Sequence, residues 1–469
     1  MEWDDIAEHA HQSVADNWFL RYHEQRAHIA DWVSTFRDGR ACELVGVCCG
    51  SFNWGCRILF EDTTEWLVRF AVPGMVMDGD AKLRREIAAM TMIAQRTTIP
   101  VPKVHAWGLS EQNSLGLGPF IVMDYVHGES LGHLWRTSDT DRVLRTDIDE
   151  EDLRKVYRQI AGFYLELSDL KFPVSGSLSI GDDQSIQADL CPLTLKMQEI
   201  EAHSGVKVGG KAFRSMMLFT VVHSLTFRPG DRSSTFPSAT EYFVHVAEQD
   251  MEHLLQQPNS VNDEDDARAK YKFRRHFDAI LPRFIAEEYD RTEFRLICDD
   301  FRYGNMIVNN STELKIVAVL DWEWTYAAPY QLFVSPPRWL LIQKPIEWEE
   351  PFGPQFDRYQ VCLDLFLQEL EHEESKRAKA QHEEERLSAL MRKTLRTGKF
   401  WFHELIYDCF TPVDNPALRA ICDAYPEVRE LAPSEHPGLD AFVKEKMRQL
   451  AAYTEQWKAI EESEGQDKI

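Results

Sequence analysis

The chain has 469 residues, enough for a large core divided between two lobes, with 44% hydrophobic residues and a net charge of 52 − 77 = −25. That acidity argues against nucleic-acid and anionic-membrane partners, which call for basic faces, and is compatible with a cationic small molecule. No apolar run approaches the ~20 residues a membrane span needs. The acidic start, MEWDDIAEHAHQ, lacks the basic or apolar character of a targeting peptide, so a cytoplasmic location is expected. Nine cysteines without CxxC pairs or zinc spacing read as reduced thiols.

Residues 1–40 read as a helical N-terminal extension, with Ile29, Trp32, Val33 and Phe36 on one face. Residues 41–126 read as a small lobe. There Gly46, Gly50, Ser51, Phe52 and Asn53 lie at a turn between ELVGVC and CRILFED. Two glycines let such a hairpin approach phosphates, with backbone N–H groups as donors. The next strand, Glu65–Val72, alternates: Trp66, Val68 and Phe70 on one face, Leu67, Arg69 and Ala71 on the other. A helix follows over Ala81–Arg96 and ends before Pro100. Its stripe is Leu83, Ile87, Met90 and Ala94, with Glu86 at the edge. Pro100–Val104 opens another strand, and Phe120–Val126 (FIVMDYV) is a buried strand leaving the lobe.

Residues 127–469 read as a larger, mainly helical lobe. Its clearest helix is 151–170, where Leu153, Val156, Tyr157, Ile160, Phe163, Tyr164 and Leu167 repeat at helical spacing. GSLSI (176–180) and a loop-rich stretch, 227–243, come next. A second strong helix carries Phe277, Ile280, Leu281, Phe284 and Ile285.

The segment 296–324, LICDDFRYGNMIVNNSTELKIVAVLDWEW, is the most informative in the chain. Asp300 is followed five positions later by Asn305, then by Met306–Val308, a polar turn, an apolar run from Leu314 to Leu320, and Asp321. This is a hairpin presenting Asp, Asn and Asp at one cleft. Phosphoryl transfer from a magnesium nucleotide needs one carboxylate to orient a hydroxyl and two oxygen ligands to hold a hard cation. Beyond it lie Pro329, Pro336 and Pro337, a helix expected around Trp339–Ile342, a solvated charged helix face at 371–386, and a frayed tail, ESEGQDKI.

Asp300-x4-Asn305, the strand, and Asp321-Trp322-Glu323 together resemble the aminoglycoside phosphotransferase (APH) family of the protein-kinase-like superfamily, and 227–243 resembles its fungal branch. The resemblance implies an α+β, two-lobed fold. It has a small antiparallel sheet with one helix, a mainly helical large lobe, and helical insertions walling an acceptor site. It implies Asp300 as the base, Asn305 and Asp321 on Mg²⁺, and a phosphate loop formed by Gly50, Ser51 and Asn53. Arg69 would clamp the phosphates of ATP or GTP from a position where protein kinases carry lysine, held by Glu86. Met123 and Tyr125 would contact the adenine from the interlobe hinge. Cys298 and Asp299 depart from the family's histidine and glycine. A cysteine there is expected to fill space and to hydrogen-bond poorly.

The expected activity is transfer of a γ-phosphate to a hydroxyl of a small molecule. The alternative is a nucleotide-binding pseudokinase that acts by interaction, with Cys298 and Asp299 as its signature. A protein kinase is disfavoured, because the usual A-P-E anchor is missing.

Overall fold

The computed structural model describes residues 3–138, 140–208, 235–377, 383–408 and 415–467. Helix α1 (Asp5–Gln25) starts where the Asp4 carboxylate accepts the Ala7 N–H at 2.9 Å, satisfying one of the free first-turn donors. It is followed by α2 (Ile29–Ser34). Both cover one face of a five-stranded antiparallel sheet built from β1 (Cys42–Cys49), β2 (Asn53–Phe60), β3 (Glu65–Ala71), β4 (Val104–Gly108) and β5 (Phe120–Asp124), in the order β1-β2-β3-β5-β4. The alternation of β3 divides as its pattern requires. Trp66, Val68 and Phe70 share a core with Trp18, Tyr22, Ile29 and Val33, while Leu67 packs on the opposite side.

That opposite side receives α3 (Gly79–Arg96), capped by the Asp78 carboxylate on the Ala81 N–H at 3.0 Å. Its buried stripe is Leu83, Ile87, Met90 and Ile93; Ala94, expected in the stripe, is exposed. These side chains belong to the core of the helical lobe as well as to the small one. The β3–α3 loop is pinned from two directions. Gln198 brackets it, accepting the Met77 N–H at 3.1 Å and donating to the Met75 carbonyl at 2.9 Å. At Gly74, with φ of +87°, a Cβ would stand 2.2 Å from the His11 carbonyl oxygen, so only glycine lets α1 approach. Helix α1 also reaches outward: His11 Nδ1 meets the Ala202 carbonyl at 2.9 Å, Trp18 donates to Leu117 at 3.0 Å, and Asp5 accepts from the Tyr453 hydroxyl at 3.3 Å.

The helical lobe is organised around α4 (Glu150–Ser168), whose expected apolar positions are buried or packed on the large core. Strand β6 (Phe294–Cys298) leads to a hairpin formed by β7 (Met306–Val308) and β8 (Ile316–Val319) in antiparallel register, and β9 (Thr325–Ala328) returns beside β6. Gly128, where the chain enters this lobe, has φ of +150°, and a Cβ there would lie 2.3 Å from the Val308 carbonyl.

Three expectations differ from the structure. Residues 339–342 form a turn rather than a helix, with Ile342 at φ +68°; the short helix here is Tyr330–Phe333, directly after Pro329. The charged face at 371–386 belongs to a helix, Pro354–Ser375, that stops early; 378–382 lie outside the described residues, as do 209–234 within the loop-rich stretch. The tail is helical through Asp467 rather than frayed. The eight described cysteines are all free thiols. Among the described residues, no helix is long and apolar enough to cross a membrane.

Candidate active site

Strand β6 ends at Cys298, and the chain then turns so that Asp300 and Asn305 face each other. The Asn305 amide donates to the Asp300 carboxylate at 2.8 Å and to its carbonyl at 2.9 Å, fixing the loop. Asn305 Oδ1 accepts no hydrogen bond among the described residues, so that oxygen is available to a ligand. Arg302 adds a partner that spacing alone did not single out: its Nε donates to Asp300 Oδ1 at 2.5 Å. The Leu320 N–H to the Asn305 carbonyl, at 2.7 Å, carries the register from this loop to Asp321.

Asp321 sits in left-handed backbone geometry, φ 56° and ψ 59°, a strained choice for a non-glycine residue. Two bonds from the preceding strand hold the segment. The Cys298 thiol donates to the Asp321 carbonyl at 3.6 Å, and the Asp299 N–H to the Trp324 carbonyl at 3.1 Å. Cys298 therefore does more than fill space; its thiol takes a bracing contact. Burial pushes the thiol pKa up, so it remains a neutral donor.

Arg69 enters this cleft from β3. Its guanidinium pairs with Glu86 of α3 through one arm and with Asp321 Oδ1, 252 positions away in sequence, at 2.6 Å through the other. The expected Arg69–Glu86 pair is formed, on the side of the sheet that faces Asp321. Glu86 is buried, and its Oε2 has no hydrogen-bond partner among the described residues. Desolvation lifts the Asp321 carboxyl to about 6, against the opposing pull of Arg69.

The turn after β1 closes with the Gly50 N–H on the Asn53 carbonyl at 3.0 Å, and Gly50 and Ser51 are exposed. Asn53 is committed elsewhere: its Nδ2 donates to Glu323 at 2.9 Å, and its Oδ1 accepts from Lys82 at 2.9 Å. Lys82 and Glu323 form a buried ion pair between α3 and the turn after Asp321. The sequence analysis did not single out Lys82, and it named Glu323 only as the last residue of the Asp321-Trp322-Glu323 motif.

The hinge differs from expectation in its donors. The Asp124 N–H bonds the Lys103 carbonyl at 3.0 Å and the Tyr125 N–H bonds the Glu65 carbonyl at 3.1 Å, so neither is available to a base. Met123 is in register with both Leu67 and Val104, its side chain buried in the shared core. The Tyr125 ring lies under the Arg57 guanidinium, 4.4 Å away.

Beside the Asp300 loop lies a pocket, partly open to solvent, walled by Cys298, Asp299, Phe301, Arg338, Trp339 and Glu404 among others. Asp299 Oδ2 accepts the Leu195 N–H at 3.1 Å, while Oδ1 is buried without a partner among the described residues, as is Arg338 Nε. Burial pushes the Asp299 carboxyl up to about 7. Arg338 pairs with Glu404 at 2.8 Å.

The chain is similar to altered inheritance of mitochondria protein 9, mitochondrial, of Debaryomyces hansenii, 34% identical over 105 residues, 22% of this chain and 16% of that protein. It is also similar to a subtelomeric hrmA-associated cluster protein of Aspergillus fumigatus, 32% identical over 93 residues, 20% of this chain and 16% of that protein. The matched part thus spans under a fifth of the length of these relatives. Among solved structures, similar chains include a macrolide 2′-phosphotransferase from Brachybacterium faecium, with TM-score 0.38, 12% identity, and 88% of this chain and 100% of that one covered. Another is the Plasmodium vivax ethanolamine kinase, with TM-score 0.39, 11% identity, and 88% and 82% covered. The model of the APH phosphotransferase enzyme family matches residues 57–330, more than half of the 469, and the chain belongs to that family.

Proposed function

We propose that the chain transfers the γ-phosphate of ATP or GTP, bound with Mg²⁺, to a hydroxyl of a small molecule. The observation that carries this reading is the meeting of Arg69, Asp300, Asn305 and Asp321 at one cleft, drawn from separate strands and loops. Asp300 would orient the acceptor hydroxyl and take its proton. Asp321 and the free Oδ1 of Asn305 are oxygen donors suited to a hard cation. Among the described residues, no three His, Cys, Asp or Glu side chains form a closed metal cage, so phosphate oxygens and water would complete the shell. Bound there, the cation supplies charge neutralisation on the transferring group. Glu86 keeps Arg69 in the cleft, and a phosphate oxygen would take the arm that Asp321 now occupies.

The acceptor reading rests on the cavity beside Asp300. Residues on both sides of Asp300 wall it, and its unpartnered Asp299 oxygen would pair with an ammonium group. A cationic amino alcohol or amino sugar is therefore the class we assign. Screening amines and sugars for acceptor-dependent ADP release tests the activity. No release with any acceptor, together with retained nucleotide binding, would favour the pseudokinase reading, for which Cys298 in the histidine position is the supporting feature.

A further inference from the structure

Lys82 lies one helical turn before Glu86 on α3, so the two project from the same face. Its side chain is 2% exposed, as rare a place for lysine as a protein offers unless the charge is paired. The pairing is threefold. The ammonium bonds the Glu323 carboxylate and the Asn53 amide oxygen, and the Asn53 nitrogen returns to the same Glu323 oxygen at 2.9 Å. Apolar walls enclose the triad: the Trp324 ring lies 5.8 Å from the ammonium, and Phe52 meets Trp324 edge-on at 5.4 Å. Each member belongs to a different part of the cleft. Asn53 closes the phosphate loop, Lys82 belongs to the helix that carries Glu86, and Glu323 stands two residues past Asp321.

We propose that Lys82 is a positioning residue that seats the phosphate loop on the Asp321 segment, so that the loop is already closed before a nucleotide arrives. This rests on the phosphotransferase reading for its purpose, but the latch itself is a property of the ligand-free protein. A loop left to order itself on the ligand lowers the apparent affinity by the fraction of time it spends in the competent state. The latch removes that loss. It also accounts for the inward direction of the Asn53 side chain, which is bonded to Lys82 and Glu323.

Removing one partner alone would strand a buried charge and threaten folding, so the test uses the neutral pair Lys82→Met with Glu323→Gln. Hydrogen exchange at residues 50–54, measured without ligand, should accelerate about tenfold or more while exchange in α4 is unchanged. Mg·ATP dissociation constant and KM should rise about tenfold with kcat nearly kept. Lys82→Arg, which keeps the charge, should restore most of the protection and affinity. Unchanged exchange at 50–54 in the double variant overturns the latch, whatever the nucleotide does. Faster exchange with unchanged nucleotide affinity overturns the positioning role and leaves a structural ion pair. A wild-type protein that is latched yet binds neither Mg·ATP nor Mg·GTP overturns the phosphotransferase reading and, with it, the positioning role.

Discussion

The Cys298 thiol donates to the carbonyl of Asp321, joining the strand before Asp300 to a non-glycine residue of the cleft held in left-handed geometry. A neutral thiol makes a weaker bond than an imidazole would, yet it joins two segments that must stay in register. Cys298→Ala should cost about 1 kcal/mol of stability and lower turnover more than nucleotide affinity. Cys298→Ser, which keeps a donor, should fall between. Urea unfolding and steady-state kinetics on the three proteins check the order, and an alanine variant equal to wild type in both would show the contact to be incidental.

Asp300→Asn should reduce acceptor-dependent turnover by about 10²–10⁴, the usual size of a lost general base, while Mg·ATP still stabilises the protein against heat. The substitution keeps the shape that meets Arg302 and Asn305. A variant that retains most of its rate would remove Asp300 from the chemistry.

Asp321→Asn should act on the other step. It replaces a carboxylate ligand by a neutral amide and takes one of two partners from Arg69. Thermal stabilisation by Mg·ATP should shrink sharply, with a smaller change for ATP in the presence of a chelator. Equal stabilisation in variant and wild type would mean that Asp321 is a structural acid only.

Glu86→Gln leaves the buried Arg69 with Asp321 alone. Breaking a buried pair from one side costs about 3–5 kcal/mol, so a clear fall in the urea midpoint is expected, with weaker nucleotide binding in whatever remains folded. A midpoint within error of wild type would show that Asp321 suffices to hold the guanidinium.

The stability of the protein should carry the mark of Asp299. Its folded-state carboxyl, pushed up to about 7 by burial, binds a proton that the unfolded chain, titrating near about 4, has already released. The folded state therefore holds more protons across that window, and stability falls as pH rises from about 4 to about 7 before levelling. Asp299→Asn should flatten this slope and make the variant the more stable protein above pH 7. Unfolding curves at a series of pH values settle it, and parallel curves for the two proteins would contradict the assignment.

The residues legible in the sequence were those whose neighbours announce them. Asp300, Asn305 and Asp321 lie in a strand-bounded hairpin, and Arg69 and Glu86 sit at fixed phases of a strand and a helix. Lys82 was hidden for the opposite reason. In DAKLRRE it reads as one more charge on a solvated face, and only the packing of α3 on a turn 241 residues away buries it. The N–H partners at the hinge were hidden likewise: FIVMDYV reads as a buried strand, but which of its N–H groups the fold uses depends on Lys103 and Glu65. Trp339, Leu340 and Leu341 are apolar and buried, and local apolarity without period cannot separate a turn from a helix.

The reach of α1 bears on the order in which the protein assembles during synthesis. Trp18 can find the Leu117 carbonyl once the small sheet exists, but His11 waits for Ala202, and Asp5 for Tyr453, 448 positions later. The first turns of the helix made before any strand are thus among the last parts to be secured. A ribosome paused short of Tyr453 should carry a nascent chain whose small sheet has taken up the Trp18–Tyr22 end of α1 but whose residues before His11 remain cleavable by protease.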